Sequence, residues 1–169
     1  VVGGSLGAMR LNTAVPAALA NLAAGGLQFD VRHQAGEKHI DAARAAYASA
    51  GVQGEVTAFI ADMAAALGWA DLVICRAGAL TIAELAAAGV GAILVPYPHA
   101  VDDHQTHNAQ FLVDAGAALR VADASLTGDS LAARLRPLLA DRARLLDMAR
   151  AARGVARVDA ADMLYQACL

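Results

Sequence analysis

Three loops of this 169-residue sequence concentrate the residue types that could do chemistry. The first, Gly3-Gly4-Ser5-Leu6-Gly7-Ala8, joins two valines to a segment of helical period. Glycines have no Cβ, so the backbone can approach a ligand closely, and the amides that open a following helix suit a phosphate. The loop lacks the Lys-Ser/Thr of a P-loop and the third glycine of the dinucleotide fingerprint. The same residues also fit Gly-x-Ser-x-Gly, the pattern of a nucleophile elbow, with Ser5 as nucleophile, Asp102 as acid and His104 or His107 as base. A tight strand-to-helix turn with no ligand is the third reading.

The second loop follows Asp71-Leu-Val-Ile-Cys75 and runs Arg76-Ala-Gly-Ala-Leu-Thr-Ile-Ala-Glu84. Gly78 permits a sharp turn, and Thr81 can cap or enter the next helix. The amides around Ala79, Leu80 and Thr81 would then face an anion. Glu84 lies one turn on, where its carboxylate could accept from two sugar hydroxyls or stand as a solvated first-turn acid. The third loop, residues 96–108, packs prolines, Asp102, Asp103, His99, His104, His107, Gln105 and Asn108 between apolar segments, more polarity than a turn requires. His104 and His107 with Asp102 or Asp103 could hold a metal, but spacing fixes no third ligand. Between these loops, Val56-Thr-Ala-Phe-Ile-Ala-Asp-Met63 reads as a strand end and helix start. There a base could stack on apolar side chains while backbone near Phe59 and Ile60 bonds its edge.

Loops can hold such residues only if rigid elements aim them. Short Val/Ile/Leu runs alternate with longer Ala-rich segments of helical period, the pattern of βαβ units and a parallel sheet. The spacing predicts about six strands, at residues 1–2, 27–33, 55–59, 71–75, 92–95 and 117–121. Helices fall at residues 12–24, 38–50, 62–70, 81–88 and 104–115. Gly25-Gly26, Gly51, Gly89 and Gly116 sit where left-handed helix caps are wanted. From residue 125 to 169 the pattern becomes a helical tail, broken near Arg136-Pro137 and Gly154. The expectation is one α/β domain over residues 1–169, a Rossmann-like doubly wound parallel sheet with C-terminal helices. In such a sheet ligands bind beyond the carboxyl ends of the strands, where strand order reverses.

Composition narrows the class. Charged residues make up 17% and hydrophobic ones 58%, too apolar a balance for a disordered chain. The mean hydropathy of +0.46 owes much to alanine, and Gly89, Gly91, Pro96 and Pro98 break the longest uncharged stretch. No stretch supplies the roughly 20 apolar residues of a membrane span. A net charge of −3, with basic residues scattered apart from a modest cluster between Arg134 and Arg157, gives no footprint for nucleic acid. Cys75 in an apolar run and Cys168 near the end read as reduced structural thiols of a cytoplasmic protein. Val-Val-Gly-Gly at the start shows no secretory signal, and reads as the end of a buried strand, as in an excised domain.

Taken together, GGSLGA at 3–8, VTAFIADM at 56–63, ADLVICRAGALTIAELAAAG at 70–89 and DDHQTHNA at 102–109 resemble the donor-binding domain of the MurG family. These are the peptidoglycan N-acetylglucosaminyltransferases, and the likeness spans almost the whole chain. The resemblance implies the C-terminal half of a GT-B enzyme, two Rossmann-like domains facing across a cleft, with the N-terminal acceptor domain outside this chain. It implies transfer of GlcNAc from UDP-GlcNAc to lipid-linked muramyl pentapeptide at the cytoplasmic face of the bacterial inner membrane, in service of cell shape and division. A nucleotide-binding module without transferase activity and a serine hydrolase are the alternatives.

Carried onto these residues, the resemblance puts Gly4, Ser5 and Gly7 beside the donor diphosphate and has Phe59 and Ile60 read uracil through their backbone, with Met63 nearby. Ala79, Leu80 and Thr81 would meet phosphate with their amides, Glu84 the ribose hydroxyls, and Gln105 the N-acetylglucosamine. His104 stands where some members carry a second glutamine. The resemblance implies no cofactor and no protein-bound metal, so Asp102-Asp103 is not a metal motif, and it puts the general base on the acceptor domain. The last helix of GT-B enzymes commonly crosses to the other domain. In this chain the apolar face of residues 158–169, with Met163 and Leu164, could instead meet a second copy.

Overall fold

The computed structural model describes every residue except 5–7, 99–102, 160–164, 167 and 169. Its strands are short, β3 and β4 among them apolar throughout, and all of their pairings are parallel. β1 (Arg32–Gln34) pairs with β2 (Glu55–Thr57), while β3 (Leu72–Cys75), β4 (Gly91–Leu94) and β5 (Ala118–Arg120) form a second ladder in that order. Val2 joins the two ladders, bridging in parallel to Gln34 on one side and Cys75 on the other. The spatial order is therefore β2, β1, Val2, β3, β4, β5. With Val2 counted as the first strand this is 3-2-1-4-5-6, the order of dinucleotide-binding doubly wound sheets.

Five of the six expected strands are present as ladders, and the one expected at residues 1–2 is a single bridging residue. Gly3 N–H still donates to Gln34 O, and the left-handed backbone comes next, at Gly4 with a φ of +80°. The strand expected over 27–33 starts late, at Arg32, because its partner β2 begins only at Glu55. Val31 O accepts from Glu55 N at 2.8 Å as the ladder opens, and Leu27 and Phe29 pack against the core ahead of it.

Side-chain alternation along β3 and β4 sorts the core into two layers. Ile74 and Ile93 point into one, with α1 (Met9–Ala24), α2 (Ile40–Ala50) and α6 (Gly128–Leu139). Val73, Cys75, Ala92 and Leu94 point into the other, with α3 (Met63–Trp69), α4 (Ala79–Ala88) and α5 (His104–Asp114). Both faces of these strands are covered, which is why they read as unbroken apolar runs. α7 (Arg142–Gly154) contributes Leu145 and Met148 to the first layer and Ala152 to the second.

Helix boundaries follow local signals. Asp62 caps α3 by accepting from Ala65 N at 2.8 Å, Asp141 caps α7 by accepting from Arg144 N at 3.1 Å, and Thr127 with Ser130 forms a capping box on α6. The predicted caps Gly26, Gly51, Gly89 and Gly116 all have positive φ, whereas Gly25 does not, its φ being −85°. The break expected at Arg136-Pro137 is displaced: α6 runs through Pro137 to Leu139, and the chain turns at Ala140. Proline in the last turn forfeits only one hydrogen bond, and buried Leu135 and Leu138 hold that turn down. Most of the tail face that carries Met163 and Leu164 lies outside the described residues. Among the described residues no helix is long and apolar enough to cross a membrane.

Candidate functional site

Strand order reverses at Val2, so the switch point opens between the loops that leave Val2 and β3. The crevice at that point is lined by Gly3, Gly4, Arg10, Arg76, Thr81 and Gln105, with Gly78, Tyr97 and Asp123 on its walls. Gly3 is buried, and its N–H donates to Gln34 O at 3.2 Å. A Cβ on Gly3 would stand 3.0 Å from both Ala8 N and Gln34 O, backbone atoms that cannot yield cheaply. Gly4 has a φ of +80°, a conformation that favours glycine, and open space where a side chain would be.

Two helices begin at this crevice, and among the described residues no side chain caps either start. Ala8 precedes α1 and Gly78 precedes α4, and both lack a polar side chain to accept from the first-turn amides. First-turn N–H groups and the positive ends of two helix dipoles therefore face the same space, an arrangement that attracts an anion. Thr81, in the first turn of α4, lines the crevice, and Leu80 beside it is 81% exposed. Glu84 is exposed one turn beyond Thr81, on the same helical face.

The crevice walls are held by polar side chains. Gln105 accepts with its Oε1 from Ala77 N at 3.2 Å and Tyr97 N at 2.9 Å, tying the loop after β3 to the loop after β4. Its carbonyl is committed to the scaffold, and its amide end is the donor left for a ligand. Asn108 donates to Ala77 O at 3.1 Å, so both polar groups of the Ala77 backbone are fastened to α5. Arg76 donates to Val95 O, Pro96 O and Asp123 Oδ1, the last at 2.6 Å. Arg10 approaches the other oxygen of Asp123, at 3.4 Å.

Behind the crevice a buried polar chain sets α1 against the sheet. Asn12 donates from Nδ2 to Ala35 O at 3.1 Å and faces His33 Nε2 with its Oδ1 at 3.0 Å; His33 Nδ1 meets Tyr47 OH at 3.0 Å. Since Asn12 Oδ1 can only accept, Nε2 carries the proton and the tyrosine hydroxyl donates to Nδ1. Burial pushes the His33 pKa down to about 3. Burial also raises that of Tyr47.

The structure gathers only part of the expected set. Gly4, Thr81 and Gln105 share the crevice, and Ala79 and Leu80 follow directly from its Gly78 wall. Ile60 and Met63 line a separate apolar cavity with Val1, Leu19 and Trp69, while Phe59 is 64% exposed. Ser5 and Gly7 lie outside the described residues, as does Asp102. His104 is the exposed first residue of α5. Asp103 accepts from Thr106 Oγ1 with its carboxylate, and its backbone O meets His107 Nδ1, both of them local bonds of a helix start. Among the described residues no three His, Cys, Asp or Glu side chains are grouped to hold a metal.

Sequence reasoning gave no role to Arg10, Arg76, Asn108, Asp123 or the His33 chain. A charged residue placed directly after an apolar strand, as Arg76 is, was the one signal available. Asp123 carried none, since it falls in the short link between the last strand and the tail.

A family model described as the glycosyltransferase family 28 C-terminal domain matches residues 1–164. The chain is 59% identical over its full length to the UDP-N-acetylglucosamine–N-acetylmuramyl-(pentapeptide) pyrophosphoryl-undecaprenol N-acetylglucosamine transferase of Marinobacter nauticus, covering 46% of that protein. It is also 59% identical, again over its full length and 46% of the relative, to the transferase of the same name from Chromohalobacter salexigens. The crystal structure of Acinetobacter baumannii MurG superposes with a TM-score of 0.88 at 44% identity, covering 98% of this chain and 47% of that one. The chain thus spans about half the length of the relatives it matches. With its parallel doubly wound sheet and a crevice at the switch point, the chain belongs to the glycosyltransferase family 28 C-terminal domain family.

Proposed function

We propose that this chain binds the donor in an inverting glycosyltransferase that moves N-acetylglucosamine from UDP-GlcNAc to a lipid-linked muramyl pentapeptide in peptidoglycan synthesis. One observation carries the reading: α1 and α4 both start at one crevice, behind Ala8 and Gly78, which have no side-chain acceptor, and first-turn amides in that position suit a diphosphate. In this reading Gly4, Ser5 and Gly7 border the diphosphate, and Ala79, Leu80 and Thr81 offer it amides. Phe59 and Ile60 read uracil through their backbone near Met63, Glu84 takes the ribose hydroxyls, and Gln105 and His104 face the sugar. As the glycosidic bond breaks, UDP leaves and negative charge grows on its phosphates. Preorganised amide dipoles stabilise that charge without reorganising.

The general base that deprotonates the acceptor hydroxyl, and the surface that meets lipid, belong to an acceptor domain in this proposal. The enzyme would act as a peripheral protein on the cytoplasmic face of the inner membrane, serving cell shape and division, and would need no protein-bound metal. A serine hydrolase finds no support in the relatives. The test is calorimetric titration of the chain with UDP-GlcNAc, UDP-GalNAc and GDP-mannose in chelator. The uridine nucleotides should bind, and the chain alone should not turn over lipid-linked acceptor. Affinity that vanishes in chelator and returns with Mg²⁺ or Mn²⁺ would refute the helix-amide account.

A further inference from the structure

We propose that Arg10 is a diphosphate-binding residue that exchanges its contact with Asp123 for the phosphates of the nucleotide donor; this rests on the donor reading above. Arg10 is the second residue of α1, lines the crevice and has a side chain 49% exposed. Its partner Asp123 is 11% exposed and already neutralised by Arg76, at 2.6 Å against 3.4 Å for Arg10.

Arg76 is held in place, 16% exposed and bonded to Val95 O and Pro96 O as well as to Asp123. It belongs to the scaffold. Two guanidiniums on one carboxylate leave an excess positive charge beside the uncapped starts of α1 and α4. Of the two, only Arg10 is exposed, loosely paired and able to swing. When it leaves, Asp123 keeps Arg76 and no buried charge is stranded, so the exchange avoids the usual penalty for breaking a part-buried ion pair. A guanidinium fork matches two phosphate oxygens at once, which the point charge of a lysine does not.

The test titrates the 169-residue chain with UDP, UMP and uridine, comparing the unmodified protein with Arg10→Ala and Arg10→Lys. Arg10→Ala should weaken UDP about 10-fold or more while uridine stays within about twofold. Arg10→Lys should fall between, and the salt dependence of UDP binding should flatten in the alanine variant. Thermal unfolding of both variants should match the unmodified chain, since the side chain is half exposed. UDP affinity unchanged in Arg10→Ala, or uridine falling in step with UDP, overturns the proposal. If the unmodified chain binds neither UDP nor uridine, the donor reading itself fails and Arg10 falls with it.

Discussion

Gln105 offers the sharpest separation of scaffold from ligand contact, because its two ends have different work. Its Oε1 satisfies Ala77 N and Tyr97 N, the first in a fully buried residue and the second in an exposed one. Gln105→Leu strands both amides. The buried one costs about 1–3 kcal/mol, and the exposed one can find water and costs little. A net loss of about 1–3 kcal/mol lowers the melting midpoint of a domain this size by about 2–12 °C. Gln105→Glu retains an oxygen in the same place, so the two amides stay bonded and the midpoint should hardly move. It removes the amide donor, however, and puts a negative charge beside the donor site. UDP-GlcNAc should therefore bind about 10-fold more weakly to the glutamate variant, with UDP affected less if the amide's partner is on the sugar. Scanning calorimetry of both variants and titration of Gln105→Glu with both ligands decide the matter. A leucine variant as stable as the unmodified chain would refute the clamp. A glutamate variant with unaltered UDP-GlcNAc affinity would refute the sugar contact.

Glu84→Ala should weaken UDP about 10-fold and abolish the preference for UDP over 2′-deoxy-UDP, whereas a merely solvated glutamate would leave both affinities untouched. Because His33 is held neutral in the folded protein with its pKa down at about 3, it adds stability that is complete above the unfolded value of 6.5 and is lost as pH falls toward 3. Denaturant titrations between pH 6.5 and 4 should show this decline, and His33→Gln should flatten it. Cys75 is fully buried with its thiol pushed up to about 12, while Cys168 is exposed. Iodoacetamide at pH 8 should therefore modify Cys168 in the native chain and both cysteines in denaturant, as read by peptide mass.

Helix and strand identity was legible in the sequence because it is written at short range. The apolar runs at 72–75 and 91–94 and the alanine-rich helices between strands needed only their own period to be recognised. The loops of the candidate site were legible for a similar reason: glycines after a strand, and polar residues crowded into a segment that a turn would not need. Two local readings failed where tertiary packing outweighed propensity. Pro137 did not end α6, because Leu135 and Leu138 are buried beneath it, and residues 27–30 did not join the ladder, because β2 offers no partner before Glu55. What the fold alone decided are the contacts between residues far apart in the chain. Val2 lies between Gln34 and Cys75, Arg76 reaches Asp123 47 positions away, and Asn12, His33 and Tyr47 close one buried chain from three elements. No local pattern encodes such meetings, because crossover helices set which strand ends become neighbours. The residue types at those ends were visible from the start, but their partners existed only once the sheet had been assembled.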